Sequence, residues 1–164
     1  MKRRCVFLDR DGTINVGPHP GEYIQNWGQF RFLPGVIDWI RIFNSLGFLV
    51  VVVTNQRGVA RGIVHPEDLD EIHRRMVEEI EQAGGRVDQI LSCPHEAGEC
   101  MCRKPKPGLV LEAQARWDID LAASLLIGDS DTDRDLAAAC GMGFVRVRDG
   151  RVVETITSGL VRAL

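Results

Sequence analysis

Acidic, hydroxyl and cationic side chains occur in four short clusters, each placed where a predicted strand ends. The clusters are residues 9–13, 54–56, 103–105 and 128–133. Ligands of open α/β sheets bind beyond the carboxyl ends of the strands, so we expect the four clusters to converge. Carboxylates, a hydroxyl group and a lysine at one place suit phosphoryl transfer, because that reaction needs positioning and neutralisation of the charge on the transferred oxygens.

The charge of each residue type indicates a role in such a reaction. Asp9 is the candidate nucleophile, and with Asp129 it can hold Mg²⁺, a hard ion that prefers carboxylates, waters and phosphate oxygens. Lys104 would neutralise the nucleophile and the phosphoryl group, and the Thr54 hydroxyl can donate to the phosphoryl oxygens. Asp11 can protonate the leaving oxygen and afterwards deprotonate the attacking water. The sequence therefore predicts cleavage of a phosphate ester through a phospho-aspartate on Asp9.

A second group of ligand-type side chains lies in the segment 93–102. Its candidate ligands are Cys93, His95, Cys100 and Cys102. A set of three thiolates and one imidazole is a known tetrahedral zinc site, and with no open position its predicted role is structural. The alternative is that Cys93 ends a strand as a small core residue while the others are incidental. Cys5 on the first strand and Cys140 at a helix end are predicted to be core residues.

Apolar runs that alternate with helical patterns must position these clusters. Strands are predicted at residues 5–8, 49–53, 87–91, 124–127 and 144–147, with a further short strand at 152–153. Helices are predicted at residues 34–47, 66–84, 107–117 and 131–140, with a helical turn at 159–164. This alternation predicts a three-layer α/β fold with a parallel sheet and helices on both faces. The long irregular segments, residues 10–33 and 93–106, are expected to be functional loops.

Length and composition limit the partners that the chain can have. It has 164 residues, 45% hydrophobic and 26% charged, with a formal charge of −3, which predicts one globular domain over residues 1–164. This acidic balance, without a basic–aromatic stripe, argues against nucleic acid as a partner and leaves a small anionic substrate. Neither a membrane span nor a signal peptide is recognisable, so a cytoplasmic protein is predicted. Nothing requires an oligomer, and we expect a monomer.

Residues 7–13, Phe-Leu-Asp-Arg-Asp-Gly-Thr, resemble the first motif of the haloacid dehalogenase superfamily. Its other motifs are matched, in the proper order, by Thr54, by Lys104, and by Gly128 and Asp129 with Asp133. The resemblance spans roughly residues 5–147 and implies a Rossmann-like (HAD-like) fold with a phospho-aspartate on Asp9 and acid–base work by Asp11. It also implies Mg²⁺ held by Asp9, the Asp11 carbonyl and Asp129, with Asp133 supporting these ligands from behind. The helices leave no room for the large cap domain of many relatives.

The cysteine–histidine segment resembles a zinc-containing branch of this superfamily, which includes phosphatases of heptose 1,7-bisphosphate and of histidinol phosphate. Residues 11–16 and 54–62 are closer to the heptose enzymes, whereas the short spacing from His95 to Cys100 is closer to the histidinol-phosphate enzymes. A longer segment at 17–21, Arg57 and Ser130 depart from the heptose pattern. The resemblance implies a sugar (bis)phosphate substrate, with the 7-phosphate of the heptose as the leading expectation.

The remaining candidate residues would bind the rest of the substrate. Arg103, next to the predicted catalytic lysine, can contact a second phosphate with bidentate hydrogen bonds. Arg57 can do the same if its loop turns inward; a solvated loop face is the alternative. His19 is expected to approach the substrate, whereas His73 is expected on a helix face. The predicted substrate-binding residues are Thr13, Gly17, His19, Glu22, Tyr23, Asn55, Gln56, Arg57, Arg103 and Ser130.

Two other functions are compatible with parts of the sequence. A histidinol-phosphate phosphatase would need acidic residues for the substrate amine, and the candidates are Glu22, Glu96 and Glu99. A non-catalytic signalling domain that accepts a phosphoryl group also combines acids, a threonine and a lysine on a parallel sheet. In such domains the accepting aspartate follows a middle strand, whereas here the middle strand ends at Thr54, and Asp11 suits turnover.

Overall fold

The computed structural model describes residues 2–157, and a six-stranded sheet forms its centre. The strands are β1 (Cys5–Leu8), β2 (Leu49–Asn55), β3 (Gln89–Cys93), β4 (Leu125–Gly128), β5 (Gly143–Arg148) and β6 (Arg151–Ile156). The α-helices in this part of the chain are α1 (Val36–Ser45), α2 (Pro66–Gln82), α3 (Gly108–Trp117) and α4 (Asp131–Ala139). Short 3₁₀ turns at Trp27–Gln29 and Leu121–Ala123, which the sequence pattern did not indicate, lie in the connections.

The strand order of the sheet is β3-β2-β1-β4-β5-β6. Strands β1 to β5 run parallel, and β6 pairs antiparallel with β5. In the middle, Phe7 of β1 lies opposite Val51 of β2 on one side and Leu126 of β4 on the other. The direction of the chain through the sheet reverses here, so the boundary between β1 and β4 is a topological switch point, where ligands of such sheets bind.

Each face of the sheet has its own hydrophobic core. Cys5 and Phe7 of β1 lie in one core with residues of α3 and α4. Val6 and Leu8 lie in the other core with residues of α1 and α2. Because successive side chains of a strand point to opposite faces, a strand covered on both sides has to be apolar throughout. The unbroken apolar runs therefore did indicate central strands, and the predicted three-layer α/β fold is confirmed.

Strand β3 lies two residues later than the sequence pattern predicts, since it starts at residue 89 instead of 87. Two hydrogen bonds to Val50, one from the backbone and one to the side chain, hold Asp88 just before the strand. Its N–H donates to the Val50 carbonyl at 2.8 Å, and its Oδ2 accepts from the Val50 N–H at 2.8 Å. Regular pairing then starts with Gln89 opposite Val51 and continues to Cys93 opposite Asn55. This shift places the first cysteine of the ligand segment at the carboxyl end of the sheet.

The long connection from β1 to α1 is anchored by a short antiparallel contact. The Val16 N–H donates to the Arg31 carbonyl at 2.8 Å, and the Leu33 N–H donates to the Ile14 carbonyl at 2.8 Å. Residues 2–157 contain no large cap domain, as expected, and no helix among them is long and apolar enough to cross a membrane. The short strand expected near residue 152 is present as β6, whereas the helical turn expected at 159–164 lies outside the described residues.

Candidate active site

A buried lysine joins two carboxylates at the switch point of the sheet. Asp9 directly follows β1, and its N–H donates to the Ile127 carbonyl of β4 at 3.0 Å. The Lys104 Nζ donates to Asp9 Oδ1 at 2.7 Å and to Asp133 Oδ1 at 2.7 Å. All three side chains are nearly inaccessible, with exposed fractions of 4% for Lys104, 11% for Asp9 and 1% for Asp133. The structure thus brings the predicted nucleophile and the predicted catalytic lysine into direct contact.

The Asn55 side chain holds the loop that carries Lys104. Its Oδ1 accepts from the Lys104 N–H at 3.0 Å, and its Nδ2 donates to the Lys104 carbonyl at 3.1 Å. The amide at the end of β2 therefore fixes the backbone of a residue 49 positions later in the chain. Asn55 was predicted as a substrate-binding residue, and in this structure its amide group is used to position Lys104.

Two glycines allow a third carboxylate to approach Asp9. Gly12 has a φ of +89°, and a Cβ there would lie 2.1 Å from Asp129 Oδ2. A Cβ at Gly128 would lie 2.5 Å from the Asp133 side chain. With these glycines, one carboxylate oxygen from each of Asp9, Asp129 and Asp133 lies within 4.8 Å of the others. An oxygen-rich group of this kind fits Mg²⁺, which prefers a few carboxylates completed by waters and phosphate oxygens.

The electrostatics of this group favour a bound cation. Burial raises the pKa of Asp9, the charge of Lys104 opposes that rise, and the charge of Asp133 adds to it. Burial also raises the pKa of Asp129, again with a contribution from Asp133. Burial alone would lower the pKa of Lys104, but Asp9 and Asp133 outweigh it and hold that pKa above its usual value. One ammonium among three carboxylates leaves an excess of negative charge, which a divalent cation would neutralise.

Asp133 is fixed by the start of α4 as well as by Lys104. The Ser130 Oγ donates to Asp133 Oδ2 at 2.7 Å and accepts from the Asp133 N–H at 3.2 Å. Together with the Ser130 N–H, which donates to the same carboxylate, these contacts form a capping box. Both carboxylate oxygens of Asp133 are therefore engaged within the protein, which suits a supporting role behind the cation. Ser130, predicted to bind substrate, uses its hydroxyl in this cap.

The Asp11 carboxylate is held by three side chains. Arg10 Nη2 donates to Asp11 Oδ1 at 2.8 Å and to Oδ2 at 2.9 Å. Asn15 Nδ2 donates to Oδ1 at 2.9 Å, and Gln56 Nε2 donates to Oδ2 at 2.9 Å. The same Gln56 nitrogen lies 2.9 Å from the Thr54 Oγ1, to which it also donates. Gln56, another predicted substrate-binding residue, thus links the candidate acid–base group to the end of β2.

Two residues of this network had no predicted role. Arg10 is completely buried, and its Nη1 lies 3.2 Å from the His73 Nε2 of α2. Burial, followed by the nearby Arg10 charge, lowers the pKa of His73 to about 3. The sequence held an indication of this, because His73 stands four residues after Leu69 and three before Met76, on the apolar stripe of the helix. A polar residue on that stripe needs a buried partner, and its identity required the fold.

The Cys/His side chains of the segment 93–102 come together as predicted. Cys102 Sγ lies 3.0 Å from Cys93 Sγ and 3.4 Å from Cys100 Sγ, and His95 Nδ1 lies 3.3 Å from Cys102 Sγ. All four ligand atoms lie within 4.8 Å of one another, and the cysteines are free thiols. Sulfur atoms around a tetrahedral zinc ion are roughly 3.8 Å apart, so this compact set fits one ion. Cys93 is therefore a core residue at the end of β3 and also a member of this cluster.

The Cys/His cluster is directly connected to the loop of the predicted catalytic lysine. The Arg103 N–H donates to Cys100 Sγ at 3.3 Å, and Lys106 Nζ donates to the Cys100 carbonyl at 2.7 Å. An N–H group aimed at a sulfur stabilises the thiolate that a metal ion needs. As for the cysteines outside the cluster, Cys5 is fully buried in the core and Cys140 packs against it, as predicted.

The predicted substrate-binding loop lines an open cavity of about 520 Å³. Its lining includes Gly17, His19, Glu22 and Tyr23, so the structure brings these predicted residues together. Gly17 also borders a second cavity, of about 280 Å³, which it shares with Gly12, Asp129 and Arg148. Gly17 is therefore in the lining of both cavities, and the second one includes Asp129. Arg148 had no predicted role, and a separate apolar cavity of about 380 Å³ beside β5 and β6 lies away from the carboxylates.

Two of the predicted substrate-binding residues, Arg57 and Thr13, do not line the loop cavity. Arg57 Nε lies 3.3 Å from the Tyr23 hydroxyl and 3.4 Å from Glu96 Oε1. Arg61 contacts the same Glu96 oxygen at 2.7 Å, and the pKa of Glu96 is lowered mainly by its hydrogen bond to Arg61. Thr13 is fully buried, and its Oγ1 has no hydrogen-bond partner among the described residues.

The chain is similar in sequence to several bacterial sugar phosphatases. The HAD-hydrolase-like family matches residues 101–158. A D-glycero-β-D-manno-heptose-1,7-bisphosphate 7-phosphatase of Rhodopseudomonas palustris is 38% identical over an alignment of 149 residues, and the match covers 86% of this chain and 81% of the relative. A D-glycero-α-D-manno-heptose-1,7-bisphosphate 7-phosphatase of Mycobacterium tuberculosis is 41% identical over an alignment of 135 residues, and the match covers 81% of this chain and 70% of the relative.

A solved structure supports the same similarity in three dimensions. The D,D-heptose 1,7-bisphosphate phosphatase of B. bronchiseptica, crystallised with magnesium and phosphate, superposes with a TM-score of 0.84 at 34% sequence identity. The match covers 94% of this chain and 90% of that protein. The resemblance found in the motifs thus extends over nearly the whole fold.

Proposed function

Since this chain belongs to the haloacid dehalogenase superfamily, in the family of the heptose 1,7-bisphosphate phosphatases, we propose that it removes the 7-phosphate of D-glycero-D-manno-heptose 1,7-bisphosphate. The observation that carries the proposed mechanism is the Lys104 Nζ between Asp9 and Asp133, 2.7 Å from each carboxylate. A buried cation at the nucleophile is what the approach of a carboxylate to an anionic phosphate requires.

The reaction proceeds in two half-reactions on one aspartate. An Asp9 oxygen attacks phosphorus, the bond to the sugar oxygen breaks, and Asp11 donates a proton to that leaving oxygen. Water then attacks phosphorus, Asp11 takes its proton, and the bond to Asp9 breaks to release inorganic phosphate. Lys104 stays on Asp9 and compensates charge in both steps. Asp11, anchored next to Thr54 through Gln56, is placed to serve as acid and then as base.

Two metal ions fit the residues present. The oxygens of Asp9, Asp129 and the Asp11 carbonyl would hold Mg²⁺, which supplies positive charge to the phosphoryl oxygens when bound. The cluster of Cys93, His95, Cys100 and Cys102 would hold Zn²⁺. Its four ligands leave no site for substrate, so its role is to stabilise the loop that leads into Lys104. The Asn55 amide holds the other side of the same loop.

A second phosphate would be met by Arg103. Its only side-chain hydrogen bond among the described residues is a long one, 3.5 Å from Nη1 to the His95 carbonyl. Arg57 and Arg61, by contrast, are already paired with Glu96. Arg103 is therefore the cation near Lys104 with the most donors free for a retained phosphate, which supports a bisphosphate substrate.

The alternative substrate, histidinol phosphate, has weaker support. Glu96, a candidate partner for its amine, is neutralised by the Arg61 and Arg57 contacts. The Glu99 carboxylate accepts from the Glu96 N–H at 3.2 Å, which leaves Glu22 as the freest acid of the loop cavity. One of the two relatives is named for the β anomer of the heptose and the other for the α anomer, so both anomers are to be tested with this chain.

The test of the substrate is phosphate release, with Mg²⁺, from both heptose 1,7-bisphosphate anomers and from histidinol phosphate. We expect the highest kcat/KM with a heptose bisphosphate. We expect Arg103→Gln to raise KM for the bisphosphate about tenfold or more, because a charge-assisted contact contributes about 1.5–3 kcal/mol. The matched control is Arg86→Gln, whose side chain pairs with Asp88 away from the site. A preference for histidinol phosphate would contradict the proposed substrate. An unchanged KM in the Arg103 variant would contradict the assignment of Arg103 to the retained phosphate.

A further inference from the structure

A partly buried chain of side chains runs from helix α2 to the proposed acid–base group. His73 Nε2 lies 3.2 Å from Arg10 Nη1, and Arg10 Nη2 contacts both carboxylate oxygens of Asp11. We propose that His73 and Arg10 are positioning residues, which fix the Asp11 carboxylate in the orientation that proton transfer to the leaving group requires. This inference rests on the proposed role of Asp11 in phosphate-ester hydrolysis.

Arg10 is not placed to bind substrate itself. Its side chain has an exposed fraction of 0%, although it stands between the two aspartates of the first motif. Its Nε and Nη2 face Asp11 and its Nη1 faces His73, so each nitrogen of the guanidinium has a partner within the protein. A planar fork on a carboxylate restricts both the position and the rotation of that carboxylate.

His73 acts on Arg10 as a hydrogen-bond acceptor. A guanidinium has only donors, so the contacting Nε2 of His73 must accept and the ring proton must be on Nδ1. Burial and the Arg10 charge, opposed by Asp11, lower the pKa of His73 to about 3, which keeps the ring neutral and able to accept at neutral pH. The imidazole therefore fixes the end of Arg10 that Asp11 does not hold.

The position of His73 in the helix argues that this contact is its role. It lies on the stripe of α2 that carries the buried Leu69, Ile72, Met76 and Ile80. An apolar side chain would fill that place without desolvating a polar ring, which is unfavourable unless the ring is hydrogen-bonded. The one hydrogen bond of its side chain among the described residues is the contact with Arg10.

The orientation of the Asp11 carboxylate depends most on Arg10, which contacts both of its oxygens. Asn15 and Gln56 each add a single hydrogen bond from a side-chain amide, to Oδ1 and to Oδ2 respectively. If Arg10 loses His73, the guanidinium gains rotational freedom and the carboxylate moves with it. A displacement of about 1 Å in a reacting group can lower a rate by about 10²-fold.

A positioning role can be separated from a purely structural role by the leaving group. An alkyl leaving group, such as a sugar hydroxyl, is a strong base and needs the proton from Asp11. A p-nitrophenolate leaves without it, so a misplaced Asp11 slows sugar phosphate hydrolysis more than p-nitrophenyl phosphate hydrolysis. Damage to the fold or to Lys104 would slow both substrates together.

The test compares His73→Leu, which removes the acceptor, with His73→Gln, whose amide oxygen can still accept from Arg10. The control is Met76→Leu, on the same stripe of α2. For His73→Leu we expect kcat/KM with heptose bisphosphate to fall about tenfold or more, a share of the 10²–10⁴ typical of acid–base catalysis. The kcat/KM with p-nitrophenyl phosphate should fall less than about threefold. This ratio reports the half-reaction in which the leaving group departs, and not the later attack of water that both substrates share. His73→Gln should recover most of the lost rate, and Met76→Leu should behave as wild type.

Equal losses with both substrates, full activity in His73→Leu, or no recovery in His73→Gln would overturn the positioning role. If His73→Leu does not fold by circular dichroism, His73→Met replaces it, with the same expected outcomes. A wild-type protein that releases phosphate from p-nitrophenyl phosphate but not from heptose bisphosphate would refute the proposed substrate alone. The comparison of leaving groups is then made with glycerol phosphate as the alkyl ester.

Discussion

At the scale of single residues, the site depends on how closely carboxylates can approach one another. Lys104 compensates two of them, Asp9 and Asp133, whereas Asp129 has no ion-pair partner within residues 2–157. Its approach is possible because Gly12, in the left-handed backbone region, leaves open the space that a side chain would fill. The Gly after the second aspartate of the first motif is thus required both by its φ and by Asp129.

We predict that Gly12→Ala impairs Mg²⁺ binding beyond any general loss of stability. The added Cβ would lie 2.1 Å from Asp129 Oδ2, so the carboxylate must move. The matched control is Gly47→Ala, which has a φ of +78° but no atom within 4 Å of the added Cβ. Both variants should lose about 1–2 kcal/mol from the left-handed backbone. Only Gly12→Ala should also need a higher Mg²⁺ concentration for half-maximal activity; equal Mg²⁺ requirements in the two variants would refute this.

At the scale of elements, several side chains of the site contact residues that are distant in the chain. Asn55 at the end of β2 fixes Lys104, and His73 of α2 contacts Arg10 after β1. The sequence predicted the strands, helices and catalytic clusters, because burial and strand ends leave local patterns. It could not predict these pairs, because the residues around Asn55 or His73 in the chain do not indicate which distant group the side chain contacts. The predicted start of β3 differs from the observed start for the same reason, since Asp88 is bonded to Val50 of another strand.

The metal cluster is predicted to act through the loop that it supports. We expect about one zinc ion per chain by elemental analysis of protein purified without chelators. Cys100→Ser should lose the zinc and lower kcat, because Cys100 accepts from the Arg103 N–H next to Lys104. Cys140→Ser, at the end of α4 and outside the cluster, should keep both zinc and activity. Full activity in a zinc-free Cys100→Ser protein would contradict a role in positioning Lys104.

At the scale of the whole molecule, the sheet order determines where the chemistry lies. With β1 between β2 and β4, the residues that follow these strands meet at one edge, and both cores hold them from behind. The described chain adds no large cap, and an open cavity is lined by Gly17, Gln25 and residues between them in the loop after β1. The fold therefore supplies a rigid base and an accessible opening, which suits an extended sugar phosphate.

This arrangement predicts that Mg²⁺ stabilises the whole domain. Without a cation, the exposed Asp129 carboxylate and the buried Asp9 and Asp133 carboxylates beside it repel one another. A cation at 100 times its Kd stabilises the folded state by about 2.7 kcal/mol. For a domain of this size we expect Tm to rise by roughly 5–10 °C in differential scanning fluorimetry. Asp129→Asn should lose most of this rise, and an equal rise in wild type and variant would place the cation elsewhere.

In the proposed mechanism Asp9 carries the phosphoryl group, and the most direct test is to trap it there. With p-nitrophenyl phosphate, whose leaving group needs no proton, Asp11→Asn can complete the first half-reaction but lacks the base of the second. The phospho-aspartate should then persist long enough for a rapid acid quench. After digestion, mass spectrometry should locate one phosphoryl group on Asp9, and an Asp9→Asn variant treated identically should carry none. Phosphate release without any phosphorylated peptide, or a phosphoryl group on another residue, would contradict the role of Asp9.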